Sequence, residues 1–190
     1  MIDSLLHSDT LSTIQKRRSV FPSEFNGQTI PNEVVLKLLE CAHTAPSHRL
    51  TQPWSFMVFS GSAKMALADH ITSAEQIIMP EIKKKKTLDK FQQSSHILCV
   101  CMRRDSKERV PEWEEIAATA MAVQNIWVAC AGSQIGGYWS TPAYVAELSN
   151  YLKLDQNERC LGLFYLGRFD ELAPRKTDRS DLTDHVTWFE

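Results

Sequence analysis

An α+β domain is the fold class that this 190-residue chain predicts, and three observations carry that reading. Residues 116–131 are apolar on almost every face, interrupted chiefly by Thr119, Gln124 and Asn125. A helix apolar all round is packed on all sides, whereas a surface helix shows a single stripe. Three short runs rich in branched and aromatic residues, at 55–60, 96–102 and 160–166, read as strands. Helix-periodic segments separate them, with no internal repeat or low-complexity linker, so residues 1–190 read as one domain.

The composition is ordinary, at 43% hydrophobic and 23% charged with a formal net charge of −2, and calls for neither nucleic acid nor an anionic membrane surface. The dense charge block at 83–86 reads as a solvated helix face. Glu114, Glu115, Gln124 and Asn125 argue against a membrane span, as does an uncharged run shorter than about 18 residues. The first residues lack a basic region and a long apolar stretch, which predicts a cytoplasmic protein without a signal peptide. Five cysteines, an odd number without CxxC spacing, fit reduced thiols. Cys99 and Cys101 share one strand face and read as small apolar core residues. No His or Cys pair has convincing zinc-ligand spacing, so no metal is expected.

In chain order, residues 2–16 read as a helix with Leu5, Leu6 and Ile14 as buried positions. Lys16, Arg17, Arg18 and Ser19 follow. Cations at a helix end suit its dipole, and two guanidinium forks beside a hydroxyl also match phosphate oxygens. Pro31 and Glu33 open a second helix, whose apolar face is Val34, Val35, Leu38, Leu39 and Ala42 and which Pro46 stops. The loop APSHRLTQPW at 45–54 is fixed by two prolines and rich in hydrogen-bonding side chains. It leads into the strand at 55–60, and such anchored loops often carry binding residues.

Residues 63–70 and 75–93 read as helices broken near Pro80, and 96–102 as a central strand because it is nearly all apolar. After a charged loop at 103–111, Trp113 starts the apolar helix, which Gly132 caps. Gly136 and Gly137 then read as a loop that turns sharply and brings the backbone close to a neighbour. That loop, with Tyr138, Trp139, Ser140 and Thr141, is either one wall of a flat-ligand pocket or an ordinary joint between helices. Residues 142–152 read as a short helix, and the strand at 160–166 ends at Gly167 and Arg168. The polar tail from 170 finishes in Val186, Thr187, Trp188 and Phe189, an arm expected to dock, as a strand, on a partner subunit.

KRRS at 16–19, APSHRLTQPWSFMVF at 45–59 and the apolar helix running into Gly132 and IGGYWST at 135–141 together resemble the FMN-dependent nitroreductase family. LGLFYLGR at 161–168 and DHVTW at 184–188 fit as well, and the short single-domain branch is the nearest in character. The resemblance implies an α+β sandwich, a central mainly antiparallel sheet with helices on both sides, in an intertwined homodimer with FMN at the subunit interface. It implies that Arg17, Arg18 and Ser19 hold the phosphate and ribityl end. Thr44, Ser47, His48 and Gln52 would contact the ribityl chain or ring edge. Trp139, Ser140 and Thr141 would lie along the isoalloxazine, with backbone N–H groups near N5 and O4. Arg168 and Lys176 would add to the phosphate end. This chain has His48-Arg49 where the family often has a small polar residue such as Asn.

The implied chemistry belongs to the flavin, so no catalytic side chain is expected. NADH or NADPH would give hydride to N5, and a small-molecule acceptor (a nitroaromatic, quinone or activated enone) would then take the electrons on the same face, with ping-pong kinetics. Without a Rossmann glycine fingerprint, the nicotinamide would bind at the flavin. Two other readings stand beside this one: a flavin-dependent oxidase or dehydrogenase of a specialised metabolite with little NAD(P)H turnover, and a non-catalytic interaction module.

Overall fold

A computed structural model describes residues 6–175 and 178–189. Its framework is a four-stranded sheet ordered β1-β2-β4-β3, from β1 (Trp54–Ser60), β2 (His96–Arg103), β3 (Ile135–Ser140) and β4 (Glu158–Arg168). Every neighbouring pair is antiparallel. β2 and β4 take the centre because they are apolar on both faces: residues 97–102 and 163–166 are buried throughout.

Helices cover both faces. α3 (Gly61–Ser73) and α4 (Glu81–Gln93) pack with Val145, Leu148 and Leu152 over the face that carries Ile97, Cys99, Cys101, Leu163 and Tyr165. α2 (Asn32–His43) and α5 (Glu112–Ala129) cover the face of Leu98, Val100, Phe164 and Leu166. The expected α+β sandwich is what forms, with two cores separated by the sheet and a period-2 alternation deciding which residue joins which. Cys99 and Cys101 lie in the core as expected.

Several elements differ from the sequence reading. The first helix, α1, is Ser8–Lys16 and buries none of its residues, so Leu6 and Ile14 are exposed; Leu5 lies outside the described residues. Residues 75–80 are not helical, and α4 begins only after Pro80, whose fixed φ suits a helix entrance. The stretch read as a Gly-Gly loop is the edge strand β3, paired with β4 from Ile135↔Arg168 to Ser140↔Leu163. Residues 143–148 form a 3-10 turn in place of a short helix.

α5 is buried on one side only. Ala118, Thr119, Ala122, Val123 and Ile126 enter the core, while Trp113 is 66% and Met121 40% exposed. Its Glu115 is completely buried, where it pairs with Arg104 and accepts from the Asp105 amide at 2.9 Å. The tail makes a 3-10 turn at Leu182–His185. Beyond it Trp188 and Phe189 are 84% and 93% exposed, so the described residues of one chain leave both rings uncovered.

Candidate functional site

β3 is the spine of the candidate site. At its Gly136 end the chain leaves α1 and runs alongside the free edge, where the Val20 amide donates to the Gly137 carbonyl at 3.1 Å. A β-carbon on Gly136 would lie 2.5 Å from Val20 Cγ2, so the missing side chain is what lets this segment close in. The Trp127 indole donates to the same Gly137 carbonyl at 2.7 Å. This seats Arg17, Arg18 and Ser19 beside the strand, with the Arg17 guanidinium 5.5 Å above the Trp127 ring.

Arg18 Nη1 donates to the Ala173 carbonyl at 3.1 Å. Its Nη2 is buried without a hydrogen-bond partner and stands 3.8 Å from Glu24 Oε1. Arg175 Nη2 meets the same Glu24 oxygen at 3.0 Å, and its guanidinium lies 4.8 Å above Phe21. Arg168 pairs with Ile135 at the start of β3, so it belongs to this end too. A recess of about 230 Å³ opens here between Lys16, Arg18, Trp127, Ser133 and Phe169. Guanidinium forks with an unmatched N–H are the chemistry of phosphate or carboxylate recognition.

At the other end of β3, Ser140 lines a cavity of about 570 Å³. Tyr144 and Tyr165 form part of its wall, and Lys83, Lys86, Thr87 and Lys90 reach it from α4. Burial pushes both phenols above the usual tyrosine range, so they stay protonated, with their oxygens 3.4 Å apart. Tyr138 stacks on Tyr165 at 6.2 Å and meets Phe21 at 4.8 Å, with the Lys90 ammonium 6.0 Å away. An aromatic row therefore links the arginine end to the lysine-lined cavity. From Gly136 to Ser140 the strand rises about 13 Å, at roughly 3.3 Å per residue.

The remaining sequence-predicted residues stand apart from that cavity. The Trp139 side chain joins the opposite core, where its indole N–H is buried without a partner. Thr141 Oγ1 donates to the Leu161 carbonyl at 2.9 Å. Thr44, Ser47, His48 and Gln52 lie against or near α5: Asn125 donates to Thr44 at 3.3 Å, and His48 Nδ1 is 2.6 Å from Glu114 Oε2. Ser47 Oγ accepts from the Gln52 amide at 3.2 Å. None of these four lines the cavity of Ser140. Their loop is strained, with Arg49, Leu50 and Gln52 all at positive φ. Such backbone costs on the order of 1 kcal/mol per residue and tends to persist at functional sites. Lys176 lies outside the described residues.

Sequence reasoning missed Arg175, the two tyrosines and the α4 residues. Lys83, Lys86 and Lys90 recur at i, i+3 and i+7, one face of a helix, so the run read as a solvated face supplies two of the cavity's cations. Among the described residues no group of three His, Cys, Asp or Glu is placed to hold a metal ion, and no helix is long and apolar enough to cross a membrane.

The chain is 30% identical over 188 residues to YfhC of Bacillus subtilis, a candidate NAD(P)H nitroreductase, covering 95% of this chain and 94% of the relative. In structure it is similar to a nitroreductase-like family protein from Bacillus cereus, with a TM-score of 0.81 at 23% identity over 97% of this chain and 98% of the other. A candidate nitroreductase from Desulfovibrio desulfuricans, solved in complex with FMN, superposes with a TM-score of 0.75 at 21% identity, covering 95% and 96% of the two chains. The sequence pattern of the nitroreductase family matches residues 14–168, and the chain belongs to that family.

Proposed function

We propose that this chain is an FMN-dependent NAD(P)H oxidoreductase of electron-poor acceptors, working as a homodimer. The observation that carries the reading is the pairing of Arg18 Nη2, buried without a hydrogen bond at one end of β3, with a cavity at the other. FMN has an anionic end and a flat end, and the residues present fit both. Arg17, Arg18, Ser19, Arg168 and Arg175 would take the phosphate, with Lys176 as a further candidate. Tyr144, Tyr165 and Ser140 would flank the rings, whose volume suits a cavity in the usual range of about 300–1,000 Å³.

When bound, FMN would accept electrons from NADH or NADPH and pass them to a nitroaromatic, quinone or activated enone in a separate, ping-pong half-reaction. The protein's part is orientation and electrostatics. Lys90 and Thr87 line the cavity, where a cation and a donor would stabilise added negative charge. The neutral tyrosines, Met79 and Ile77 give part of the wall an apolar surface. No side chain is required as nucleophile or base.

The homodimer is supported by what one chain leaves open. Trp113 and Met121 on α5 are exposed, as are Trp188 and Phe189 on the arm, and obligate dimers cover such apolar faces. β1 is a free sheet edge, flanked by a groove of Leu36, Leu39 and Val58 that an added strand would fill. Thr44, Ser47, His48 and Gln52, remote from their own chain's cavity, would then serve the partner's flavin. Residues 1–190 would fold as one domain within that dimer.

An absorption scan of the purified protein is the first test, and flavin bands are expected. Steady-state oxidation of NADPH with menadione or nitrofurazone should follow, giving parallel double-reciprocal lines. A colourless protein indifferent to added FMN sinks the proposal. A yellow protein with no nicotinamide turnover points to an oxidase or dehydrogenase of another metabolite.

A further inference from the structure

Cys99, Cys101 and Cys160 meet on the α3 side of the sheet, in a cluster that the proposed electron transfer does not use. Cys99 and Cys101 are fully buried, whereas Cys160 is only partly so. Cys101 and Cys160 are direct partners in the β2–β4 register, just after a shift at Val100/Cys101. Directly opposed residues of antiparallel strands have α-carbons about 4.5–5.5 Å apart. That separation falls within the range of about 4.4–6.8 Å that a disulfide spans. Cys99, two residues away on the same face, is paired with Leu163 instead.

We propose that Cys160 is a peroxide-reactive thiol, and that Cys101 resolves its oxidised form into a cross-strand disulfide. The Cys101 and Cys99 thiols beside it hold the Cys160 thiol below its ordinary range, while their own are pushed up. Of the three sulfurs, Cys160 is the one that a hydroperoxide can meet from solvent, since Cys99 and Cys101 are fully buried. With a hydroperoxide as oxidant, the Cys160 sulfur forms an S–O bond as the O–O bond breaks. Hydroxide leaves and takes a proton to become water. The Cys101 sulfur then displaces the sulfenic oxygen, forming the S–S bond and releasing a second water. In sum, two thiols lose two protons and two electrons, and one hydrogen peroxide becomes two waters.

The cluster stands directly behind the end of β3. Cys160 Sγ lies 3.4 Å from the Gly162 carbonyl oxygen. A β-carbon on Gly162 would lie 2.5 Å from Trp139 Nε1 and 2.7 Å from the Ser140 carbonyl. Oxidation would tie β4 covalently to β2 at the point that supports Ser140 and Thr141. Disulfide formation would therefore reshape the wall of the cavity, a consequence that rests on the proposed function, whereas the thiol chemistry does not.

The test uses the full chain and hydrogen peroxide, followed by alkylation of free thiols and peptide mapping. Exposed Cys41 serves as the internal reference. Cys160 is expected to be lost at least tenfold faster than Cys41, with a Cys101–Cys160 linked peptide two mass units lighter than the sum of its reduced halves. In Cys101→Ser, dimedone should trap a sulfenic acid on Cys160. Equal or faster loss of Cys41 in the unmodified chain overturns the proposal, whatever the variants do. A Cys99–Cys160 link overturns the assignment of Cys101.

Discussion

Gly137 lies against the ring of Phe164, and a β-carbon on it would come within 2.2 Å of Phe164 Cε1. Phe164 is fully buried in the central strand β4 and touches Trp127 edge-to-face at 5.3 Å, so it cannot step aside. The second glycine of the pair thus serves packing between β3 and its own core, not a ligand's approach. Gly137→Ala should destabilise the fold by about 1–3 kcal/mol, the usual cost of overpacking. For a chain of this size that lowers Tm by roughly 2–4 °C per kcal/mol. An unchanged melting curve with lost FMN binding would restore a ligand-facing role.

Arg18 separates a phosphate site from a merely structural arginine. Its Nη1 is already engaged with Ala173, but Nη2 is buried without a hydrogen bond. A charge-assisted hydrogen bond contributes about 1.5–3 kcal/mol. Arg18→Ala should therefore weaken FMN binding by about 10–100-fold. Titration of the apo-protein by flavin fluorescence reads this directly, and circular dichroism should show an intact fold. An unaltered dissociation constant would remove Arg18 from the phosphate end.

The strands at 96–102 and 160–166 were legible because residues buried on both faces leave continuous apolar runs, and the half-buried edge strand at 55–60 by its aromatic and branched residues. β3 was not, since IGGYWS carries two glycines that mimic a turn; its strand character comes from pairing with β4 and from the bulk of Phe164 and Val20 filling the glycine spaces. The arginine end was visible as KRRS, a local cluster. The cavity was invisible because α4, β3 and residues 143–148 meet only in three dimensions, and lysines three and four apart look like any wet helix face. α5 misled in an informative way. Its all-round apolar surface predicts burial, but one chain buries only the face of Ala118, Thr119, Ala122, Val123 and Ile126.

His96 is wired as a neutral imidazole, which makes stability depend on pH. The Ile30 amide donates to Ser95 Oγ at 2.7 Å, Ser95 Oγ donates to His96 Nδ1 at 2.9 Å, and His96 Nε2 donates to Asn32 Oδ1 at 3.0 Å. This network fixes the tautomer. Burial, helped by nearby Lys64, pulls the imidazole below its ordinary range. The unfolded chain therefore binds more protons near pH 6, and stability is lost as pH falls through about 6.5. The urea midpoint should drop between pH 7.5 and 5.5, contributing up to about 1.4 kcal/mol per pH unit. His96→Gln should flatten that slope even if it lowers stability overall, and an unaltered slope would acquit His96.

Glu115 is a carboxylate with no exposure, in the first turns of an otherwise apolar helix. It holds Arg104, which also donates to the Val110 carbonyl at 2.8 Å, and so closes the loop that precedes α5. Replacing one member of a buried pair strands the other, at a cost of about 3–5 kcal/mol. Arg104 keeps a fifth of its side chain in solvent, so the low end applies. Glu115→Ala should lower stability by about 3 kcal/mol in urea. Glu114→Ala, one residue earlier, should cost far less and instead free His48.

The arm beyond Asp181 is the sharpest test of the dimer. Leu182, Trp188 and Phe189 are 73%, 84% and 93% exposed, so removing them takes nothing from their own chain's core. If they serve a second copy, deleting residues 182–190 should leave the melting of secondary structure nearly intact while weakening self-association. Sedimentation velocity at micromolar concentration should then show a dimer for the full chain and a concentration-dependent shift toward monomer for the truncated one. The same deletion should lower flavin content if Thr44, Ser47, His48 and Gln52 serve the flavin of a second copy, as proposed. A truncated chain that stays dimeric and yellow would mean that α5 alone makes the contact. A full chain that is monomeric yet yellow would mean that one copy suffices, and the loop at 44–52 would lose its proposed role.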